Sequence, residues 1–435
     1  MSGHAGLFAI VGARVIDPAN GIDGERTVLV RDGRIAGVES PGALPSFDGV
    51  RGERIERIDA RGLWLLPGFV DLHAHLREPG EEHKETIATG AKAAVAGGYT
   101  TIVAIANTRP PIDNAALVRF VKKKGEEADL ARVLPAATIT LGQKGEGLTE
   151  LVDLAEAGAV CFTDDGRPVA NAGVMRRALE YSRLVGRPIV AHEEDLGLAG
   201  GSMHEGEVSV RLGLRGVPGA AEEVMIRRDL VLAELTGAHL HVMHVSTAGS
   251  VRAIREAKSR GVKVTAEATP HHLTLTDEAV KGYDTNAKMM PPLRPEADRR
   301  AIVEALQDGT LDAIATDHAP HATVDKELEF DKAASGIVGL ETAFALTLRA
   351  VQRGELKLTR AIELLTSGPA RAFQLDAGTL TVGAPADLTL IDPEARWKFD
   401  AKKSSSKSHN SPFDGWEFSG RVVRTFVGGR VRFEL

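Results

Sequence analysis

Eight strand-like runs alternate with helix-like stretches through the middle of the chain, and no other feature constrains the fold as much. The runs are 69–76, 100–106, 132–139, 159–163, 188–192, 239–245, 263–268 and 311–316. Between them, 172–185, 220–235 and 250–260 show apolar residues at helical spacing. Strands alternating with helices predict a parallel sheet, and eight is the number that closes a TIM (β/α)8 barrel. Both ends of the chain read differently. Short strand-like runs at 7–16, 27–30, 34–38, 387–391, 421–426 and 430–433, with turn signals at Asp32-Gly33 and Gly428-Gly429, predict an all-β region. The fold expected is therefore an α/β barrel over 67–377, with a small composite β-sandwich domain built from 1–66 and 378–435. The Ser-rich run Lys402 to Ser408 reads as a surface loop on composition.

Composition excludes several functions. Against 53 basic residues stand 60 acidic ones, so the chain has no nucleic-acid footprint, and any attraction for an acidic substrate must be local. The single cysteine, Cys161, excludes an internal disulfide framework and a Cys-rich zinc module. The start, MSGHAGLFAIVGARV, has no basic targeting region, and no stretch approaches the roughly 18 apolar residues of a membrane span. A cytoplasmic location is expected.

Active sites of such barrels sit at the C-terminal strand ends. The first strand ends Asp71-Leu-His73-Ala-His75-Leu-Arg77, and strand residues i and i+2 share a face, so His73 and His75 project together as two ligands of one metal would. Alone, the pair reads more often as ordinary core or surface histidines, and its place at the end of a first barrel strand favours the ligand reading. The ends of later strands add Asp164-Asp165, His192, His244 and Asp317. An Asp or Ser after a strand is commonly a helix cap, yet five strands here deliver imidazoles and carboxylates to one mouth. That donor set without thiolates suits one or two divalent ions, zinc first. In HLHVMHV, His244 lies nearest the C-terminal end and is the candidate ligand, while His239 and His241 read as structural. Between Asp164 and Asp165 periodicity does not choose. Gly142-x-x-Gly145-x-Gly147 reads as a loop, Lys122–Lys124 as a solvated helix end, and Cys161 as a packing thiol.

HLREPG at 75–80, Ala106-Asn107-Thr-Arg-Pro110, Phe162-Thr-Asp-Asp-Gly166, Val190-Ala-His192, Thr269-Pro-His-His-Leu273, Pro291-Pro-Leu-Arg294, ATDHAPH at 315–321 and Ser406-Lys-Ser-His-Asn-Ser-Pro-Phe413 together resemble the dihydroorotases in their bacterial type I form. The resemblance runs nearly the whole chain. It implies two zinc ions per subunit held by His73, His75, Asp165, His192, His244 and Asp317, bridged by Asp165 and a hydroxide, with Asp317 as the catalytic proton carrier. It also implies a substrate carboxylate clamped by Arg77, Asn107 and His321, with further substrate contacts at Met290, Ser335 and Gly336. The implied reaction is reversible cyclisation of N-carbamoyl-L-aspartate to L-dihydroorotate in pyrimidine biosynthesis. Hydantoinase-, dihydropyrimidinase- and allantoinase-like relatives share the barrel, but many carry a bridging lysine on strand four, which is absent here, and generally lack the arginine. A non-catalytic subunit scaffolding aspartate transcarbamoylase would have lost ligands, and every ligand position here is filled. A homodimer and a transcarbamoylase partner are further implications. Two positions depart from the family pattern: Met290 replaces an asparagine, and Ser335 replaces a phenylalanine.

Overall fold

The structure is a computed structural model describing residues 6–41 and 55–435. Residues 1–5 and 42–54 of the expected composite domain, and the start of the N-terminal reading, lie outside the described residues. Strands Phe69–Ala74, Tyr99–Ala104 and Arg132–Pro135 form one parallel sheet, and Ile189–Ala191, Leu240–Val242, Val264–Ala268 and Ala313–Ile314 another. Two junctions close them into a ring. Phe162 bridges Ala137 on one side and Ile189 on the other, and Ala74 pairs with His318. The fourth strand is thus reduced to a bridge, but its backbone still bonds both neighbours: Thr163 N donates to Ala137 O at 2.8 Å and Val190 N to Phe162 O at 2.8 Å. The first two barrel strands are buried at every position, as covering a parallel sheet on both faces requires. The outer helices Ala172–Val185, Ala220–Thr236 and Ala248–Ser259 fall where apolar spacing places them. Asn171 and Thr247 cap two of them by accepting from first-turn amides.

Both chain ends build one eight-stranded sheet. Its order is Arg430–Glu434, Glu417–Val427, Leu388–Lys398, Trp64–Pro67, Phe8–Asp17, Ile22–Arg31 and Arg34–Glu39, with Glu56–Asp59 also paired to Phe8–Asp17. Asp32 and Gly33 both have positive φ, 50° and 75°, which suits the tight turn between right-twisted strands. Phe8 stacks on Phe426 at 5.7 Å, so the first and last segments share a core. Trp64–Pro67 pairs with Leu388–Ile391 and leads directly into the first barrel strand, coupling sheet and barrel mechanically.

The Ser-rich run is not a simple surface loop. Lys402, Lys403 and Lys407 are exposed, whereas Ser406, Ser408, Asn410 and Ser411 are buried. Composition flagged polarity, but these side chains find partners across the chain. Ser404 Oγ donates to Glu341 at 2.7 Å, Ser406 Oγ to Glu85, and Ser408 Oγ to Lys84 O at 2.7 Å. Buried polar groups matched in this way escape the penalty that drives serines outward.

Candidate metal centre and active site

Two groups of three donors converge at the C-terminal mouth: His73, His75 and Asp317 in one, Asp165, His192 and His244 in the other, all buried. In the first, His73 Nε2 and His75 Nε2 lie 3.3 Å apart and 3.3 and 3.1 Å from Asp317 Oδ1. In the second, His192 Nδ1 lies 2.9 Å from His244 Nε2 and 3.3 Å from Asp165 Oδ1. Asp165 faces both groups. Its Oδ2 is 3.5 Å from His75 and 3.8 Å from His73, while its Oδ1 faces His192 and His244. The neighbouring Asp164 turns away and accepts from the Ile139 and Thr140 amides and the Thr140 hydroxyl, so it shapes a loop.

The donors are oriented as metal ligands are. His73 Nδ1 donates to Glu267 Oε1 at 3.1 Å and His75 Nδ1 to Asn107 Oδ1 at 2.9 Å, leaving each Nε2 lone pair pointing into the cluster. In the tautomers that serve Glu267 and Asn107, the Nε2 lone pairs of His73 and His75 face one another at 3.3 Å. Donors about 2.1 Å from a shared tetrahedral zinc stand about 3.4 Å apart, close to this spacing. The electrostatics agree. Burial pulls the His192 pKa down, but Asp165 and Glu194 outweigh it and hold it up at about 10. His73 is likewise raised, Asp317 and Asp165 overcoming desolvation, while Asp317 is held far below the carboxylate range by His73 and His75 despite its burial. The cluster attracts positive charge, and the residues present fit divalent ions. His244 and Asp317 hold positive φ, 31° and 44°, as does Arg77 at 59°; such non-glycine strain, about 1–3 kcal/mol each, is typical of functional sites.

A cavity of about 360 Å³ opens beside the cluster and is lined by Arg77, Asn107, Gln143, Asp165 and His321 among others. Arg77 is buried, its Nε donates to Pro320 O at 3.1 Å, and its Nη2 lies 3.4 Å from His321 Nε2. The two glutamates near it in sequence are engaged elsewhere: Glu81 pairs with Lys84 at 2.9 Å, and Glu78 lies 3.8 Å from Lys124. Among the described residues Arg77 has no carboxylate partner. Asn107 is placed differently from a free clamp residue, because its amide is spent on His75 and on Asp165 Oδ2 at 3.2 Å. His321 donates from Nε2 to Ser335 O at 2.9 Å and leaves Nδ1 without a hydrogen-bond partner among the described residues. Burial and the adjacent Arg77 push its pKa down to about 2, so the ring is neutral. Gly336 sits at φ 157°, where an added Cβ would meet Ala319 O at 2.6 Å and His321 Nε2 at 2.9 Å. Met290 is half-buried beside Pro291, whose carbonyl accepts from His272 Nε2 at 3.0 Å.

Several residues in this region escaped the sequence reading. Glu267 joins His73 to His241, accepting from both at 3.1 Å, which gives the supposedly structural His241 an orienting role at one remove. Asp71 accepts from Thr316 N at 2.8 Å and Thr316 Oγ1 at 2.6 Å, tying the first barrel strand to the eighth. Gln143, in the glycine-rich loop, donates to Asp165 O at 2.9 Å. A buried Glu inside a strand of otherwise small residues was the one local signal available. A larger cleft of about 860 Å³, lined by Arg349, Trp397 and Trp416, lies away from the donors.

A barrel carrying histidine and aspartate donors at its mouth, with a sheet domain attached, defines a metal-dependent amidohydrolase. The profile of the Amidohydrolase family matches residues 221–433, and that of the Dihydro-orotase-like family matches 62–250. A dihydroorotase of Anaeromyxobacter sp. (strain K) is 55% identical over 98% of both chains, and one of Syntrophotalea carbinolica is 51% identical over 98% of this chain and 99% of its own. The chain belongs to the dihydroorotase family and is a cyclic amidohydrolase. Among solved structures, the L-hydantoinase of Arthrobacter aurescens superposes with a TM-score of 0.86 at 28% identity, covering 98% of this chain and 96% of its own. A dihydropyrimidinase of Brevibacillus agri, at 22% identity and TM-score 0.81 over 98% and 94%, shares the fold. No helix among the described residues is long and apolar enough to cross a membrane.

Proposed function

We propose that the protein interconverts N-carbamoyl-L-aspartate and L-dihydroorotate, and that His73, His75, Asp165, His192, His244 and Asp317 would hold two zinc ions, Asp165 facing both donor groups. Imidazoles and carboxylates without thiolates, three donors on each side, support zinc. Bound there, the ions supply Lewis acidity, which activates water at neutral pH and polarises the attacked carbonyl. Asp317, ionised and aimed into the cluster, takes the proton of the attacking water and delivers it to the ring nitrogen as the C–N bond breaks. In the synthetic direction it takes the proton from the ureido nitrogen as that nitrogen attacks the protonated side-chain carboxyl, and returns it to the departing hydroxyl, which leaves as water. His321 and the Ser335-Gly336 backbone wall the substrate side, and Asn107 holds His75 and Asp165 in register. Met290 offers backbone contacts there in place of an amide side chain.

One observation carries the substrate assignment. Arg77 is a buried guanidinium at the cavity wall with no carboxylate partner among the described residues. A buried cation left in this state calls for an anion, and its planar fork matches a carboxylate. Dihydroorotate carries such a group; dihydrouracil, hydantoin and allantoin do not. The test is turnover by zinc-loaded protein of L-dihydroorotate against those three amides. Hydrolysis of dihydroorotate to N-carbamoyl-L-aspartate is expected, and turnover of the neutral amides alone would overturn the reading.

A further inference from the structure

Asn410 lies in the segment joining strands Leu388–Lys398 and Glu417–Val427 of the end sheet, well outside the barrel in sequence, yet it is only 4% exposed and sits against the substrate pocket. Its amide is fully used. Nδ2 donates to Ala319 O and to Gly336 O, both at 2.9 Å, and Oδ1 accepts from His321 N at 3.0 Å. Its own carbonyl accepts from Val338 N at 2.9 Å. Beside the backbone bond from Ala319 N to Ile337 O at 2.9 Å, this side chain adds a second tie between the turn 319–321 and the loop 335–338.

Those two segments carry the carboxylate pocket. Pro320, between two of the residues Asn410 binds, supplies the carbonyl that receives Arg77 Nε, and His321 bonds Ser335 O. A shift of 319–321 relative to 335–338 thus moves the Arg77 anchor and the His321 ring together. Lys326 holds the same loop as well, donating from Nζ to Ala334 O at 2.8 Å and Gly336 O at 3.1 Å. None of these bonds involves a residue of the donor cluster.

We infer that Asn410 is a positioning residue for substrate recognition: by tying Ala319, His321 and Gly336 together, this end-sheet segment fixes the pocket that receives the substrate carboxylate. The inference rests on the dihydroorotase reading above. It separates recognition from chemistry, because His73 and His75 are oriented through Glu267 and Asn107 instead.

The experiment compares wild type, Asn410→Ala and Asn410→Asp by steady-state kinetics on L-dihydroorotate, zinc content and thermal midpoint. In Asn410→Ala, KM rises about tenfold while kcat changes less than about threefold and zinc content holds. Asn410→Asp keeps the volume and the acceptor but faces two carbonyls with oxygens, so its KM rises at least as far. A wild-type KM in either folded variant overturns the inference, as does a fall in kcat together with zinc content, which marks a merely structural role. If both variants fail to fold, Lys326→Met, which removes the other side-chain donor to Gly336 O, takes their place: a raised KM at preserved kcat supports the inference and an unchanged KM overturns it. Absence of wild-type turnover would refute the reading of the activity, which an unshifted KM in the variants would not.

Discussion

The strap 404–411 and the barrel mouth both bury polar side chains, but they satisfy them differently. In the strap each buried side chain has a partner: Ser406 has Glu85, Ser408 has Lys84 O, and Asn410 has three backbone groups. At the mouth the groups are left over. Among the described residues, the Nε2 lone pairs of His73 and His75 face each other at 3.3 Å, His321 Nδ1 and the buried His271 Nε2 have no hydrogen-bond partner, and Arg77 has no carboxylate partner. A matched network holds a shape, whereas an unmatched one is stable only when something outside the chain completes it. The strap therefore acts through position, and the mouth acts through what it binds.

The largest effect should come from the mouth. Asp165→Ala removes the carboxylate that faces both donor groups, so activity should fall on the order of a thousandfold and bound metal should drop with it. Metal analysis and turnover together check this; full zinc content with lost activity would place Asp165 outside the metal set. Chelation of wild type should abolish turnover and added zinc should restore it. Arg77→Ala comes next. Losing a charge-assisted fork should raise KM for dihydroorotate about a hundredfold, with zinc content unchanged. A KM that hardly moves would show that the unpaired guanidinium is structural after all.

A smaller effect lies at the far end of the barrel and concerns stability. Burial, then His241 and Lys263, depress His239 to about 4, below its ordinary value of 6.5. The folded protein therefore resists protonating it, so stability present above pH 6.5 is lost as pH falls toward 4. The loss is about 2 kcal/mol for a group this buried. His239→Gln should flatten the dependence of the thermal midpoint on pH across that window. The smallest change belongs to exposed positions on the strap and just before it: His409→Ala and Lys402→Ala should leave KM unchanged and stability within about 0.5 kcal/mol. A clear shift from either would show that the strap works through more than its buried face.

The barrel was legible because its signals are local. Apolar spacing placed the helix Ala172–Val185, strand periodicity put His73 and His75 on one face, and position at strand ends picked out His192, His244 and Asp317. The choice of Asp165 over Asp164 needed the family resemblance, since the strand ends there; in the folded chain Asp164 caps a loop while Asp165 faces both donor groups. The Ser-rich run was misread because serines look alike in composition whether water or Glu85 receives their hydroxyls.

Periodicity reports how neighbouring residues share a face, so the sequence carried the strands, the helices and the pairing of donors within one strand end. It carried nothing about which distant segments meet. Asn410 reaches His321 across 89 residues and Gly336 across 74, and Glu267 reaches His73 across 194. Those meetings exist because the ring of strands closes and the two chain ends form a single sheet against it. Closure of that kind is a property of the whole chain's packing, and no short stretch of residues encodes it.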